Sequence, residues 1–248
     1  MSRDGAIARV RAVLDQGDFL ETLRRRVAIP TESQEPDRLS DLHRYLEDEI
    51  APSLARSGYI SKITKNTVPG GGPFLVAERI EDPNLPTLMT YGHGDVVRGI
   101  PEQWREGLDP WAITVEGERW YGRGTADNKG QHSIVIAALE AVLAERGCHG
   151  FNSRILIETS EEIGSPGLDN YLTEKAADLQ TDLMIASDGP RLVPQRADIK
   201  LGNRGGLSFD LSIKLREGSR HSGHWGGVLE DPGVILAQAI ACITTPRG

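Results

Sequence analysis

The sequence predicts an α/β protein: a mixed, mostly parallel sheet flanked by helices, followed by the start of a smaller α+β domain. Three observations point there. Apolar, strand-like runs alternate with amphipathic helical stretches through residues 1–198, the pattern of strands buried against helices on the sheet faces. Polar clusters stand at the ends of those runs. From Ile199 the texture changes to polar–apolar alternation with period two, the signature of a strand with one exposed face. The domain boundaries read from this are 1–198 and 199–248.

The elements follow in order. Ile7, Val10, Val13 and Leu14 share one helical face, as do Leu20, Leu23 and Val27, and Pro30 stops the second helix. "DRLSDLHRYLEDEIAPSLARSG" repeats the pattern through Leu39, Leu42, Leu46 and Ile50, with Gly58 at a helix C-cap position. "GYISKITKN" and "PFLVAERI" read as strands around the turn-rich "TVPGGG", and "PTLMTYGH" as a third. A loop containing Pro101, Gly107 and Pro110 leads to "WAITVEG" and "ERWYGRGTADNKG". The long helix "HSIVIAALEAVLAERG" ends at Gly147. Strand "SRILIETS", helix "SPGLDNYLTEKAA" and strand "TDLMIASDGP" complete the first domain. "IKLGNRGGLSFDLSIKLRE" opens the second. Neither internal repeats nor low-complexity segments occur.

Composition narrows the function classes. A formal net charge of -8 disfavours non-specific nucleic-acid binding and leaves no polybasic face for a membrane. Neither a membrane-spanning run nor the apolar stretch of a secretory signal is present, so a cytoplasmic protein is expected. Cys148 and Cys242 form no C-x-x-C pair, which argues against a disulfide framework or a thiolate zinc site.

Sites in sheet-based α/β proteins collect in loops at strand C-termini. Four strand ends carry polar clusters here: "GHGD" (92–95), "GTADNKG" (124–130), "TSEEIG" (159–164) and "ASDG" (186–189). Together they offer the imidazole of His93 and the carboxylates of Asp95, Asp127, Glu161, Glu162 and Asp188. That donor set suits a divalent cation, zinc first, with cobalt and manganese as alternatives. Each residue also has a plainer reading. His93 and Asp95, two apart on an extended backbone, point the same way, so Asp95 is placed to orient the ring; His93 is otherwise a capped loop histidine. Asp127 stands at a helix entrance, where an aspartate also serves as a cap. Glu161 and Glu162 point in different directions, one toward a metal and one toward a water, unless they are a solvated loop pair. Asp188 before Gly189-Pro190 is otherwise a turn aspartate. "GRGTAD" lacks the last glycine of a dinucleotide loop and no G-K-[ST] follows, which removes the nucleotide reading. The absence of G-x-S-x-G and H-E-x-x-H disfavours a serine hydrolase and excludes that zinc-peptidase motif.

Taken together and in order, "YGHGDVV", "GRGTADNKG", "ETSEEIGS" and "ASDG" resemble the M20 family of metallopeptidases, which includes carnosine-type dipeptidases, glutamate carboxypeptidases and acetylornithine deacetylase. The resemblance implies a zinc-exopeptidase-like catalytic domain with two divalent metal ions, most simply zinc. It implies His93 and Asp188 on one metal, Glu162 on the other and Asp127 between them. Asp95 would orient His93, and Glu161 would be the general base of a hydrolase cleaving a small peptide or N-acyl amino acid. It also marks Asp127–Asn128 as a candidate cis peptide. "RHSGHWGG" (220–227) resembles a lid segment whose histidine, His221 by position, reaches the active site of a dimer partner, so a homodimer through the lid domain is expected. "NRGG" (203–206) is another family-like feature whose role stays open.

The departure from the family is length. Family members return from the lid to the catalytic domain and there supply a last imidazole for the second metal. Among His43, His132, His149, His221 and His224 none lies beyond a complete lid. The expectation is therefore the N-terminal portion of such an enzyme, with a catalytically impaired metal-binding or dimerising fragment as the alternative. "DPW" and "ERWYGRGTADNKG" lean toward the dipeptidase and carboxypeptidase branch.

Overall fold

The computed structural model describes residues 2–191, 193, 195–202 and 204–245. The chain divides into two compact units, Met1–Pro190 and Arg191–Gly248.

The first unit is built on a five-stranded sheet. Its strands are β1 (Ile60–Thr64), β2 (Phe74–Arg79), β3 (Thr87–His93), β6 (Asn152–Glu158) and β7 (Leu183–Ala186), and a separate hairpin pairs β4 (Thr114–Glu116) with β5 (Arg119–Tyr121). The order across the sheet is β1-β2-β6-β3-β7. β1 pairs with β2 and β2 with β6 in antiparallel fashion, whereas β3 runs parallel to both β6 and β7. The sheet is thus mixed, and its parallel half brings three strand C-termini side by side.

Burial explains the strand composition. Leu75 and Ala77 of β2 and Ile155 and Ile157 of β6 alternate onto one face, where they pack with Leu46, Ile50, Leu54, Ile136 and Leu139. The opposite face is covered as well: Leu156 and Val76 are buried, and Phe74 stacks on Tyr171 at 4.9 Å. Strands enclosed on both faces carry continuous apolar runs, which is what "PFLVA" and "ILI" are.

The helices of this unit are α1 (Arg3–Asp15), α2 (Asp18–Val27), α3 (Leu39–Arg44), α4 (Ala51–Arg56), α5 (Lys129–Arg146) and α6 (Leu168–Glu174). Gly58 and Gly147 follow their helices with φ of 74° and 75°, the left-handed conformation that glycine adopts without steric cost. One expectation is corrected in detail. The helix anticipated over residues 37–58 is continuous in direction but not in type: Tyr45–Ile50 between α3 and α4 is π-helical. Pro52 provides the reason, since it lacks an N–H and its ring crowds the carbonyl one turn earlier.

Among its described residues the second unit has two helices, α7 (Ser222–Trp225) and α8 (Pro232–Ile243), the latter capped by Asp231, which accepts the N–H groups of Gly233 and Val234. The strand expected over 199–217 does not form among the described residues; Asn203 of "NRGG" lies outside them. Period-two alternation specifies a strand only when a neighbour accepts its backbone hydrogen bonds, and no strand is assigned among this unit's described residues. Cys148 and Cys242 are both free. Among the described residues no helix is long and apolar enough to cross a membrane.

Candidate metal centre

β3 ends at His93, β6 runs into the short 3-10 turn Glu161–Ile163, and β7 ends one residue before Ser187-Asp188. Because these strands are parallel neighbours, their C-terminal loops share one rim, and α5 begins at the same rim just after Asp127. Among the described residues, one group of side chains can hold a metal ion: His93, Asp127 and Asp188, whose ligand atoms lie within 4.8 Å of one another. His93 Nε2 stands 2.9 Å from Asp127 Oδ1 and 3.9 Å from both Asp188 Oδ2 and Glu161 Oε2. An imidazole nitrogen facing three carboxylates is a donor set that suits a divalent cation.

His93 is fully buried, and its other ring nitrogen is already engaged. Nδ1 lies 3.0 Å from the backbone oxygen of Asp95 and 3.3 Å from its carboxylate, which sets Nδ1 as the donor and turns Nε2 toward the carboxylates. Asp95 does more than orient this ring. Its two carboxylate oxygens accept the backbone N–H groups of Glu161, at 3.2 Å, and Glu162, at 3.1 Å. One buried aspartate therefore ties the end of β3 to the turn after β6.

The electrostatics follow from this crowding. Burial by itself lowers the pKa of His93, but the hydrogen bond and charge of Asp95, with Glu161 and Asp127, outweigh it and lift the ring to about 9. Glu161 is raised above the ordinary carboxylate range, first by partial burial and then by Asp188, Asp95 and Asp127, against the lowering pull of His93. Glu162 is raised by burial and then by Asp127. Glu162 is held through its backbone by Asp95, but its side chain is not one of the three that converge. His221 belongs to the second unit, where its Nδ1 accepts the N–H of Gly223 and its ring stands 5.2 Å from that of His224.

The peptide bond between Asp127 and Asn128 is cis. The loop before α5 is anchored from below by Lys129, whose buried amine donates to the backbone oxygens of Arg26, at 2.9 Å, and Ile29, at 2.7 Å; burial pushes this amine down to about 7. Gly130 is required by packing, because a Cβ there would overlap the carbonyl oxygen of Thr125. Gly130→Ala is expected to cost about 2–3 kcal/mol and to displace Asp127, measured as a lower denaturation midpoint together with weaker zinc uptake.

Sequence reasoning missed Glu158, Asn128 and the surroundings of His132. Glu158 is a fully buried carboxylate that accepts from Tyr91 Oη at 2.6 Å and Ser165 Oγ at 2.9 Å. Its position inside the same "ETSEEIG" motif was the available signal. His132 is held neutral, its pKa pushed well below the usual value by burial and then by Arg26, His93 and Lys129. The spacing of Asn128 and His132, four residues apart at a helix start, places both on one face and was the signal for that pair.

A sheet of this order with a histidine–carboxylate cluster at the ends of its parallel strands defines an α/β protein equipped to hold a cation. The chain belongs to peptidase family M20/M25/M40, whose sequence model matches residues 89–236, a segment containing each of the site residues discussed above. It is 30% identical over 249 residues to Beta-Ala-His dipeptidase of Homo sapiens, covering 95% of this chain and 48% of that protein. It is 28% identical over 180 residues to Cys-Gly metallodipeptidase dug1 of Schizosaccharomyces pombe, covering 71% of this chain and 37% of that one. Among solved structures, human carnosine dipeptidase 1 superposes with a TM-score of 0.71 at 24% identity, covering 99% of this chain and 53% of that chain. The di-peptidase Dug1p from Saccharomyces cerevisiae gives 0.75 at 21%, again covering 99% and 53%. These two structural likenesses speak to the fold. The chain spans about half the length of the curated relatives it matches.

Proposed function

We propose that the chain carries the cation-holding half of a metal-dependent hydrolase that cleaves the amide bond of a dipeptide or similar small substrate. The observation that carries the reading is the convergence of His93, Asp127 and Asp188 at the rim of the parallel strands, within the segment matched by the peptidase family. The relatives named for dipeptide hydrolysis direct the choice toward dipeptides, with N-acyl amino acids as the wider class.

His93, Asp127 and Asp188 would hold one divalent ion, most simply zinc, and Glu162 with Asp127 would hold a second. A cation bound there supplies Lewis acidity, which makes water easier to deprotonate and polarises a substrate carbonyl. Glu161 is the proposed base. Its Oε2 faces the same space as His93 Nε2, and partial burial among carboxylates favours its protonated form more than water would. It takes a proton from water, whose oxygen bonds to the substrate carbonyl carbon, and returns that proton to the amide nitrogen as the C–N bond breaks. Asp95 keeps His93 and the Glu161–Glu162 backbone in register during that exchange. His221 is proposed to serve a partner's site in a homodimer joined through residues 199–248, and the protein to work in the cytoplasm.

A second reading is favoured by one observation: the Glu162 side chain stands outside the converging cluster. In that reading the chain binds a cation and associates without turning over substrate. Assay of the zinc- and cobalt-loaded chain on β-Ala-His, Cys-Gly and N-acetyl amino acids separates the two. Hydrolysis that a chelator reduces to background and added zinc restores is the expected result; stoichiometric zinc uptake with no hydrolysis establishes the second reading instead.

A further inference from the structure

We propose that Tyr45, His132 and Asn128 form a positioning relay that sets the spacing of His93, Asp127 and Asp188, an inference that rests on the assignment of those three to a cation. All three relay residues are buried, at 0%, 2% and 0% exposure. Tyr45 Oη lies 2.6 Å from His132 Nε2, and His132 Nδ1 lies 3.2 Å from Asn128 Oδ1. The same Oδ1 accepts the backbone N–H of His93 at 3.2 Å. Asn128 Nδ2 donates to the backbone oxygen of Ser187 at 2.7 Å and to Gln131 Oε1 at 2.8 Å. Gln131 Nε2 in turn donates to the backbone oxygen of Gly189 at 2.9 Å.

The positions of these bonds give the relay its meaning. Asn128 directly follows Asp127, holds the backbone N–H of His93, and holds the carbonyl immediately before Asp188. Gln131 holds the carbonyl immediately after Asp188. One amide side chain and its helical neighbour thus reach all three members of the cluster, which come from three different segments of the chain.

Donor counting fixes the direction. Both N–H groups of the Asn128 amide face acceptors, so its Oδ1 must accept from His93 and from His132. The proton of His132 therefore sits on Nδ1, and the lone pair of Nε2 accepts from the hydroxyl of Tyr45. Every link then has a donor and an acceptor, and a wrongly flipped Asn128 amide would leave several buried groups unsatisfied at once. β3 lies hard against the relay: a Cβ at Gly92 would stand 2.7 Å from His132 Cβ and 2.8 Å from Asn128 Oδ1. Tyr45 itself belongs to the apolar core with Leu46, Ile50 and Ile136. Packing there needs only its ring, so the hydroxyl is explained by what it holds.

The test uses the full chain and the variants Tyr45→Phe, His132→Asn and His132→Leu. Zinc affinity by calorimetric titration, thermal melting and hydrogen exchange at the His93 amide are measured for each. His132→Leu is expected to weaken zinc binding about tenfold or more, in line with outer partners of metal ligands. His132→Asn, which can still present an N–H to Asn128, is expected to recover part of that loss, and Tyr45→Phe to fall between parent and His132→Leu. Affinities within about twofold of the parent throughout overturn the relay, as do losses that merely follow the melting temperatures with no recovery in His132→Asn. A parent that takes up no zinc fails the cation assignment instead. The relay is then decided by the His93 amide: faster exchange in His132→Leu supports it, and unchanged exchange overturns it.

Discussion

Glu161→Gln is expected to lower kcat for dipeptide hydrolysis by about 10³-fold while leaving zinc affinity within about threefold of the parent. The two halves of this expectation come from different atoms. Glu161 Oε2 lies 3.9 Å from His93 Nε2, close enough to share the space in which water and substrate meet, but its side chain is not one of the three that converge as ligands. Positioned general bases contribute about 10²–10⁴-fold to rate, and an amide of the same shape cannot accept the proton. The backbone N–H at this position reaches Asp95 whichever side chain it carries, so the turn after β6 is retained in the variant. Single-turnover kinetics and calorimetric zinc titration on the same preparation give both numbers. A large fall in zinc affinity would identify Glu161 as a ligand, and an unchanged kcat would remove it from proton transfer.

How much of this was legible in the sequence depends on the distance over which the information acts. β2 and β6 were readable because enclosure on two faces writes itself locally, as unbroken apolar runs. His93, Asp127 and Asp188 were readable as candidates because each stands at or just past the end of a strand-like stretch or at a helix entrance. Their meeting was not local information: it requires β3 to lie between β6 and β7, a matter of topology. The relay was less accessible still, because Tyr45 and His132 are 87 positions apart and nothing in "HRYLED" distinguishes Tyr45 from any core tyrosine. The alternation in 199–217 was legible as a pattern but not as a strand, since pairing depends on a partner that the pattern does not contain. For Asp95 the reading of H-x-D concerned His93 alone, whereas a carboxylate has two oxygens and the N–H groups of Glu161 and Glu162 also reach it, contacts that the spacing in "GHGD" does not contain.

That second side makes Asp95→Ala the substitution with the widest expected effect. Asp95 is fully buried, and three groups lose an acceptor together when its carboxylate is removed: the N–H of Glu161, the N–H of Glu162 and the Nδ1 side of His93. Leaving buried donors unpaired costs about 1–3 kcal/mol each before relaxation, and water entering the space left behind offsets part of it, so a loss of about 3 kcal/mol in unfolding free energy is expected. His93 keeps the backbone oxygen of residue 95 at 3.0 Å, so the ring is loosened but not released. Zinc affinity should fall by about 10–100-fold and kcat by more than either change alone suggests, because the proposed ligand on β3 and the proposed base after β6 lose their common tether. Asp95→Asn discriminates the tether from the charge. Its carbonyl oxygen replaces only one of the two carboxylate oxygens, and its NH2 group stands where the other accepted, setting a donor against a donor. The expected order in denaturation midpoint and in zinc affinity is parent, then Asn, then Ala. Equal behaviour of Asn and parent would reduce Asp95 to a space-filling role, and equal behaviour of Asn and Ala would show that both oxygens and the full negative charge are needed to hold the two strand ends together.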